Sequence, residues 1–117
     1  MNGSDFLFFR GSTPTLELVL PLAVGPEDTV YVSFAQAGQP VVEYALNGSP
    51  DPAGTGLLRR CEQERNVLLL TMSQRDTLAL KSGETELQLR LKNDVGADTF
   101  QPLTGLVGPA RKEGLIE

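Results

Sequence analysis

The chain has 117 residues, 40% of them apolar, with fifteen acidic against ten basic side chains, a net charge of -5, one cysteine, and neither histidine nor tryptophan. That charge balance argues against a counterion-release footprint on nucleic acid or on an anionic membrane, so neither is an expected partner. Without histidine or a second cysteine, a zinc-type metal site has almost no ligands to draw on, a cysteine nucleophile has no histidine to activate it, and a serine nucleophile is left with lysine as its general base.

At this length a chain buries roughly 65% of its unfolded surface, which predicts one self-sufficient domain over residues 1–117. Cys61 has no partner for an internal disulfide. No apolar run approaches the roughly 20 residues of a membrane-spanning helix, and Met1 to Asp5 lacks the basic start and apolar core of a signal peptide. A soluble protein that begins in the cytoplasm is the expectation. Asn2-Gly3-Ser4 and Asn47-Gly48-Ser49 read as turns.

In chain order, Phe6 to Arg10 is a dense apolar opening, closed by Gly11-Ser12-Thr13-Pro14, which has the glycine and proline of a strand break. Thr15 to Leu20 alternates, and the two segments read together as a first strand split by a kink. Val30, Val32 and Phe34 alternate with Tyr31, Ser33 and Ala35 as a central strand. The short link Ala37-Gly38-Gln39-Pro40 predicts a hairpin to Val41–Leu46.

Asn47 to Gly56, with three glycines and two prolines, is the longest loop. Leu57–Glu62 and Asn66–Met72 follow as strands. The run Val67-Leu68-Leu69-Leu70 does not alternate, as expected of a strand covered on both faces, though a buried helix can carry the same run. Ser73-Gln74-Arg75-Asp76 matches a capping box and predicts one helical turn over residues 74–79. Thr85 to Lys92 alternates without a break, placing three leucines on one face. Asp98–Gln101 and Leu103–Val107 supply a last, weaker strand or pair of strands, and the tail ends on a small apolar patch at Leu115-Ile116.

About seven short antiparallel strands with frequent turns indicate an all-β fold, an immunoglobulin-like β-sandwich, with a closed barrel as the alternative. Lacking the cysteine pair and tryptophan of antibody domains, such a sandwich must be held by leucine, valine and phenylalanine. Chemistry has little to stand on. The acidic pairs Glu27-Asp28 and Asp94/Asp98 lack the spacing of a calcium loop, no Ser-x-x-Lys occurs, and no glycine-rich turn opens a helix. A non-enzyme without cofactors is the expectation.

Four stretches carry a resemblance: Phe9-Arg10-Gly11-Ser12-Thr13-Pro14 followed by Leu16; Val32-Ser33-Phe34-Ala35-Gln36-Ala37-Gly38; Thr71-Met72-Ser73-Gln74-Arg75-Asp76-Thr77-Leu78; and Glu86-Leu87-Gln88-Leu89-Arg90. In this order they resemble small prophage-encoded proteins of Gram-positive, largely gut-dwelling bacteria, which are similar to the immunoglobulin-like N-terminal domain of the phage baseplate upper protein. The resemblance implies a structural role in a tail or baseplate, with no catalytic site and no cofactor. It also implies contact with other tail or baseplate proteins or with further copies of the chain, and residence in the host cytoplasm during assembly and then in the virion tail.

Three of the five phenylalanines, Phe6, Phe8 and Phe9, crowd into the opening strand, where neither face is polar. An apolar second face on a terminal strand suggests contact with another chain. Phe6, Phe8, Phe9 and Arg10 are therefore candidate interface residues, with Arg10 pairing to a carboxylate at the rim. A strand sandwiched inside its own domain explains the pattern as well. The rival function is a carbohydrate-binding or adhesion module, for which Tyr31 and Tyr44 are the available aromatic platform.

Overall fold

The computed structural model describes residues 5–100 and 102–110. Gln101, the Leu115-Ile116 patch and the turn at Asn2-Gly3-Ser4 lie outside the described residues.

The alternation at Thr85–Lys92 sets the architecture. It belongs to the longest strand, β7 (Gly83–Lys92), in which Thr85, Leu87, Leu89 and Leu91 are buried while Glu84, Glu86, Arg90 and Lys92 are exposed. Strand β3 (Thr29–Gln36) lies antiparallel to it, with Phe34 opposite Leu87, Val32 opposite Leu89 and Val30 opposite Leu91. Each pair drops two apolar side chains on one face, the unit from which a half-buried sheet gains its stability.

Around this pair the chain builds two layers. Strands β1 (Phe6–Phe9), β9 (Leu103–Gly108), β7, β3 and β4 (Gln39–Leu46) hydrogen-bond in that order, and the short β8 (Ala97–Thr99) pairs with β7. The second sheet is β2 (Thr15–Val19), β6 (Val67–Thr71) and β5 (Leu57–Arg60), with β6 in the middle. Such a division, with β2, β5 and β6 in one layer, β3, β7 and β9 in the other, and β4 extending the latter, is an immunoglobulin-like sandwich of variable-type layout.

Two details differ from the expectation. There are nine strands among the described residues, and β1 runs parallel to β9 rather than antiparallel to a neighbour. Moreover, β1 and β2 are not one kinked strand but members of opposite sheets. Gly11, at φ 82°, takes a backbone conformation that suits glycine and helps carry the chain from one layer to the other.

Between the sheets lies one apolar cluster that includes Phe8, Phe34 and Tyr44, with Phe6 packed against it. Phe34 meets Phe6, Phe8 and Tyr44 edge-on, at centroid separations of 5.8, 6.0 and 6.3 Å. Edge-to-face geometry of this kind adds about 0.5–1.5 kcal/mol per pair beyond the buried area, and it ties β1, β3 and β4 together along the inner face of the larger sheet. Helix α1 (Gln74–Ala79) closes one end, its first turn capped by Ser73, whose hydroxyl accepts from the Asp76 backbone N–H at 3.1 Å.

Candidate functional site

Strand β1 resolves the phenylalanine cluster by parity. Successive side chains of a strand face opposite ways, so Phe6 and Phe8 turn inward together while Leu7 and Phe9 turn outward. Phe8 is 4% exposed and packs on Phe34, and Phe6 is stacked beside it at 5.9 Å. Phe8 belongs to the domain's own core and Phe6 packs against that core, which corrects their placement at an interface. The outward pair is different: Leu7 is 60% and Phe9 54% exposed, and Leu106, the partner of Leu7 on β9, is 46% exposed.

The resulting patch sits at the margin of the larger sheet, because β1 is its terminal strand. Two glycines of β9 make room for the rings. A Cβ at Gly105 would run into Phe6, and one at Gly108 would run into Phe9, so each ring lies over the bare backbone of its cross-strand partner. That contact holds Phe9 flat against the sheet while leaving half of it in solvent.

Arg10 is anchored to the backbone of its own chain. Its Nε donates to the Leu80 carbonyl at 2.7 Å and its Nη2 to the Leu78 carbonyl at 3.0 Å, so the guanidinium binds the backbone where α1 ends. A cation at this end also suits the negative pole of a helix. The neighbouring backbone docks beside it: Gly11 N–H donates to the Thr77 hydroxyl at 3.0 Å, and that hydroxyl donates to the Ser12 carbonyl at 2.9 Å. Of the four candidate interface residues, Phe9 alone thus faces outward, and Leu7 and Leu106 join it. Leu7 lies within the apolar opening segment, whereas Leu106 is legible as its neighbour only through the pairing of β1 with β9.

Two polar clusters accompany this apolar patch. On the outer face of the larger sheet, Glu43 accepts from the Ser33 hydroxyl at 2.6 Å and from the Asp51 backbone at 3.1 Å, and it forms an ion pair with Arg90 at 3.3 Å. Arg90 in turn lies 5.1 Å above the Tyr31 ring. The second cluster is buried. Asp76, 5% exposed, accepts from the Tyr44 hydroxyl, from Thr55 N–H and Gly56 N–H at 2.9 Å each, and from the Thr55 hydroxyl at 3.1 Å.

Burial pushes the Asp76 carboxyl up, but the hydrogen bonds from Tyr44, Thr55 and Gly56 outweigh it and hold the group below the usual carboxylate range. Burial, reinforced by the Asp76 charge and its hydrogen bond, raises the Tyr44 phenol well above the ordinary tyrosine value. Neither tyrosine offers a clear sugar platform, since Tyr44 is in the core and Arg90 covers Tyr31. Of the acidic pairs read from the sequence, Asp28 accepts from the Gly25 N–H at 2.8 Å and so closes its own turn. Among the described residues no three histidine, cysteine or acidic side chains converge as a metal would need, and no helix is long and apolar enough to cross a membrane.

No protein-family model matches the chain, and a search of curated proteins found no match. Among solved structures it is similar to CopC from Methylosinus trichosporium OB3b, with 16% identity, a TM-score of 0.54, and coverage of 95% of this chain and 89% of that one. It also aligns with the V domain of amphioxus IgVJ-C2 at 13% identity and a TM-score of 0.40, covering 89% of this chain and 98% of that one. A third alignment, with the NK cell receptor NKp44, has 11% identity and a TM-score of 0.47 and covers 94% and 100% of the two chains. At such identities the likeness concerns the fold alone.

Proposed function

We propose that this immunoglobulin-like domain is a structural protein of a phage tail or baseplate, and that it works by protein–protein contact through the outward face of β1 and β9. The observation that carries the contact is the exposed apolar trio Leu7, Phe9 and Leu106 on a terminal strand, where a monomer gains nothing by showing it to water. Support for the tail assignment comes from the four sequence stretches that resemble prophage baseplate proteins. Those stretches converge in space. Arg10, Gly11 and Ser12 of the first bond to the Thr77–Leu80 segment, and Gln36 of the second bonds to Lys81 and Thr85, between the third and fourth.

Mass spectrometry of particles purified after prophage induction tests the assignment. The chain is expected among the tail proteins, in a whole-number ratio to them. Its absence from intact particles would remove the tail reading.

A further inference from the structure

We propose that the open mouth between β4 and β5 is a second contact site, which takes an acidic peptide segment of a protein partner carrying one aliphatic side chain. The mouth holds a cleft of about 490 Å³ with Val24, Leu46 and Leu58 as its apolar lining and Arg59, Arg60 and Arg65 around it. Val24 and Leu58 are buried members of the core, so the cleft opens directly onto the sandwich interior. This volume is within the range that ligand sites occupy.

The placement of the charges is not what strand parity alone would give. Arg60 shares by alternation the side of β5 that carries the buried Leu58, the side on which a sandwich ordinarily carries apolar residues, yet it is exposed and lines the cleft. Arg65, also in the lining, is held by backbone bonds: the Val24 N–H donates to the Arg65 carbonyl at 2.7 Å, and the Val67 N–H to the Glu64 carbonyl at 3.2 Å. The connection between β5 and β6 is further tied down by the Cys61 N–H to Val67 carbonyl bond at 3.0 Å. These guanidiniums are therefore presented on fixed backbone.

Among the described residues, no hydrogen bond, ion pair or ring contact engages the side chains of Arg59, Arg60 or Arg65. Three unengaged guanidiniums within seven positions stand out on a chain of net charge -5. Glu62 is the one acid in the lining, which leaves the cleft electropositive. Guanidinium groups bind carboxylates through paired donors, and an aliphatic side chain between those carboxylates would reach Val24 and Leu58. A nucleic acid would call for a broader basic surface and would leave the apolar lining unused. The site lies on the margin of the sandwich opposite β1, since β1 and β4 are the two ends of the larger sheet. It does not rest on the tail assignment.

Amide NMR titration of the isotope-labelled protein tests this, with acetyl-EELEE-amide as the probe and acetyl-EESEE-amide and inorganic phosphate as comparisons. Saturable shifts confined to residues 57–65 and the surroundings of Val24 are expected, with the leucine peptide binding about tenfold more tightly than the serine peptide. Arg60→Gln, at an exposed position, should keep the thermal midpoint and weaken the leucine peptide by about tenfold or more, and Arg65→Glu should do the same. Shifts scattered over the surface, equal affinity for the two peptides, binding unchanged in both variants, or phosphate binding as tightly as the peptide would each overturn the proposal.

Discussion

The hydroxyl of Tyr44 donates to the Asp76 carboxylate, joining the inner face of β4 to the first turn of α1 across 32 positions of sequence. Both groups are buried, and the same carboxylate gathers the backbone N–H groups of Thr55 and Gly56. One side chain thus fixes the helix, the end of the long loop and the aromatic core. Asp76→Asn keeps the size but replaces an acceptor oxygen by an N–H₂ that must face other donors. We expect a loss of about 2–4 kcal/mol, seen as a lower urea midpoint with an unchanged slope.

The same pair dictates how stability follows pH. Asp76 is held below its ordinary value in the folded chain, so the unfolded chain binds the proton more readily and acid favours unfolding. Its contribution is complete above the unfolded value of about 4 and is lost as pH falls through the lower folded value. Tyr44 is shifted upward, so its contribution is complete below about pH 10 and declines as pH rises past the unfolded tyrosine value. Denaturation midpoints measured across pH should fall at both ends. In Asp76→Asn the acid limb should be flatter, and in Tyr44→Phe the alkaline limb; an acid limb identical to the wild type in Asp76→Asn would contradict the assignment.

Local patterns foretold local structure well. Alternation located β7, the short link between β3 and β4 announced their hairpin, and Ser73 with Asp76 marked the helix start. Asp76 shows the limit of such reading. Its spacing from Ser73 fits a cap, but its carboxylate is spent on Tyr44, Thr55 and Gly56, partners brought together by the whole fold. Likewise Gln36, an ordinary outward strand position by pattern, donates to the Lys81 carbonyl at 2.7 Å and accepts from the Lys81 N–H at 2.9 Å. The parallel pairing of β1 with β9 was illegible for a similar reason, since it joins residues about a hundred positions apart and has no turn to announce it.

Arg10 tests the corner where β1 leaves its sheet. Its two bonds to the Leu80 and Leu78 carbonyls satisfy acceptors at the end of a six-residue helix that offers few other anchors. Arg10→Ala should cost about 1–3 kcal/mol. Arg10→Lys, which keeps the charge but not the forked donors, should recover only part of that loss. Hydrogen exchange provides the local readout: amides of α1 should lose protection first in Arg10→Ala, and full protection there would show that the helix holds without it.

Phe8 and Phe9, adjacent in sequence and opposite in direction, separate stability from contact. Phe8→Ala removes a ring packed on Phe34 and should cost about 3–5 kcal/mol, whatever the protein binds. Phe9→Ser removes an outward ring lying over Gly108, and its effect on stability should stay within about 1 kcal/mol. If β1 and β9 form the contact face, Phe9→Ser and Leu7→Ser together should abolish co-sedimentation with tails from an induced lysate while the variant stays folded. Undiminished co-sedimentation of that folded double variant would place the contact elsewhere. Any loss seen with Phe8→Ala is uninformative about contact unless its thermal midpoint is shown to lie above the temperature of the assay, because a ring so deep in the core reaches the surface only through the stability of the strand that carries it.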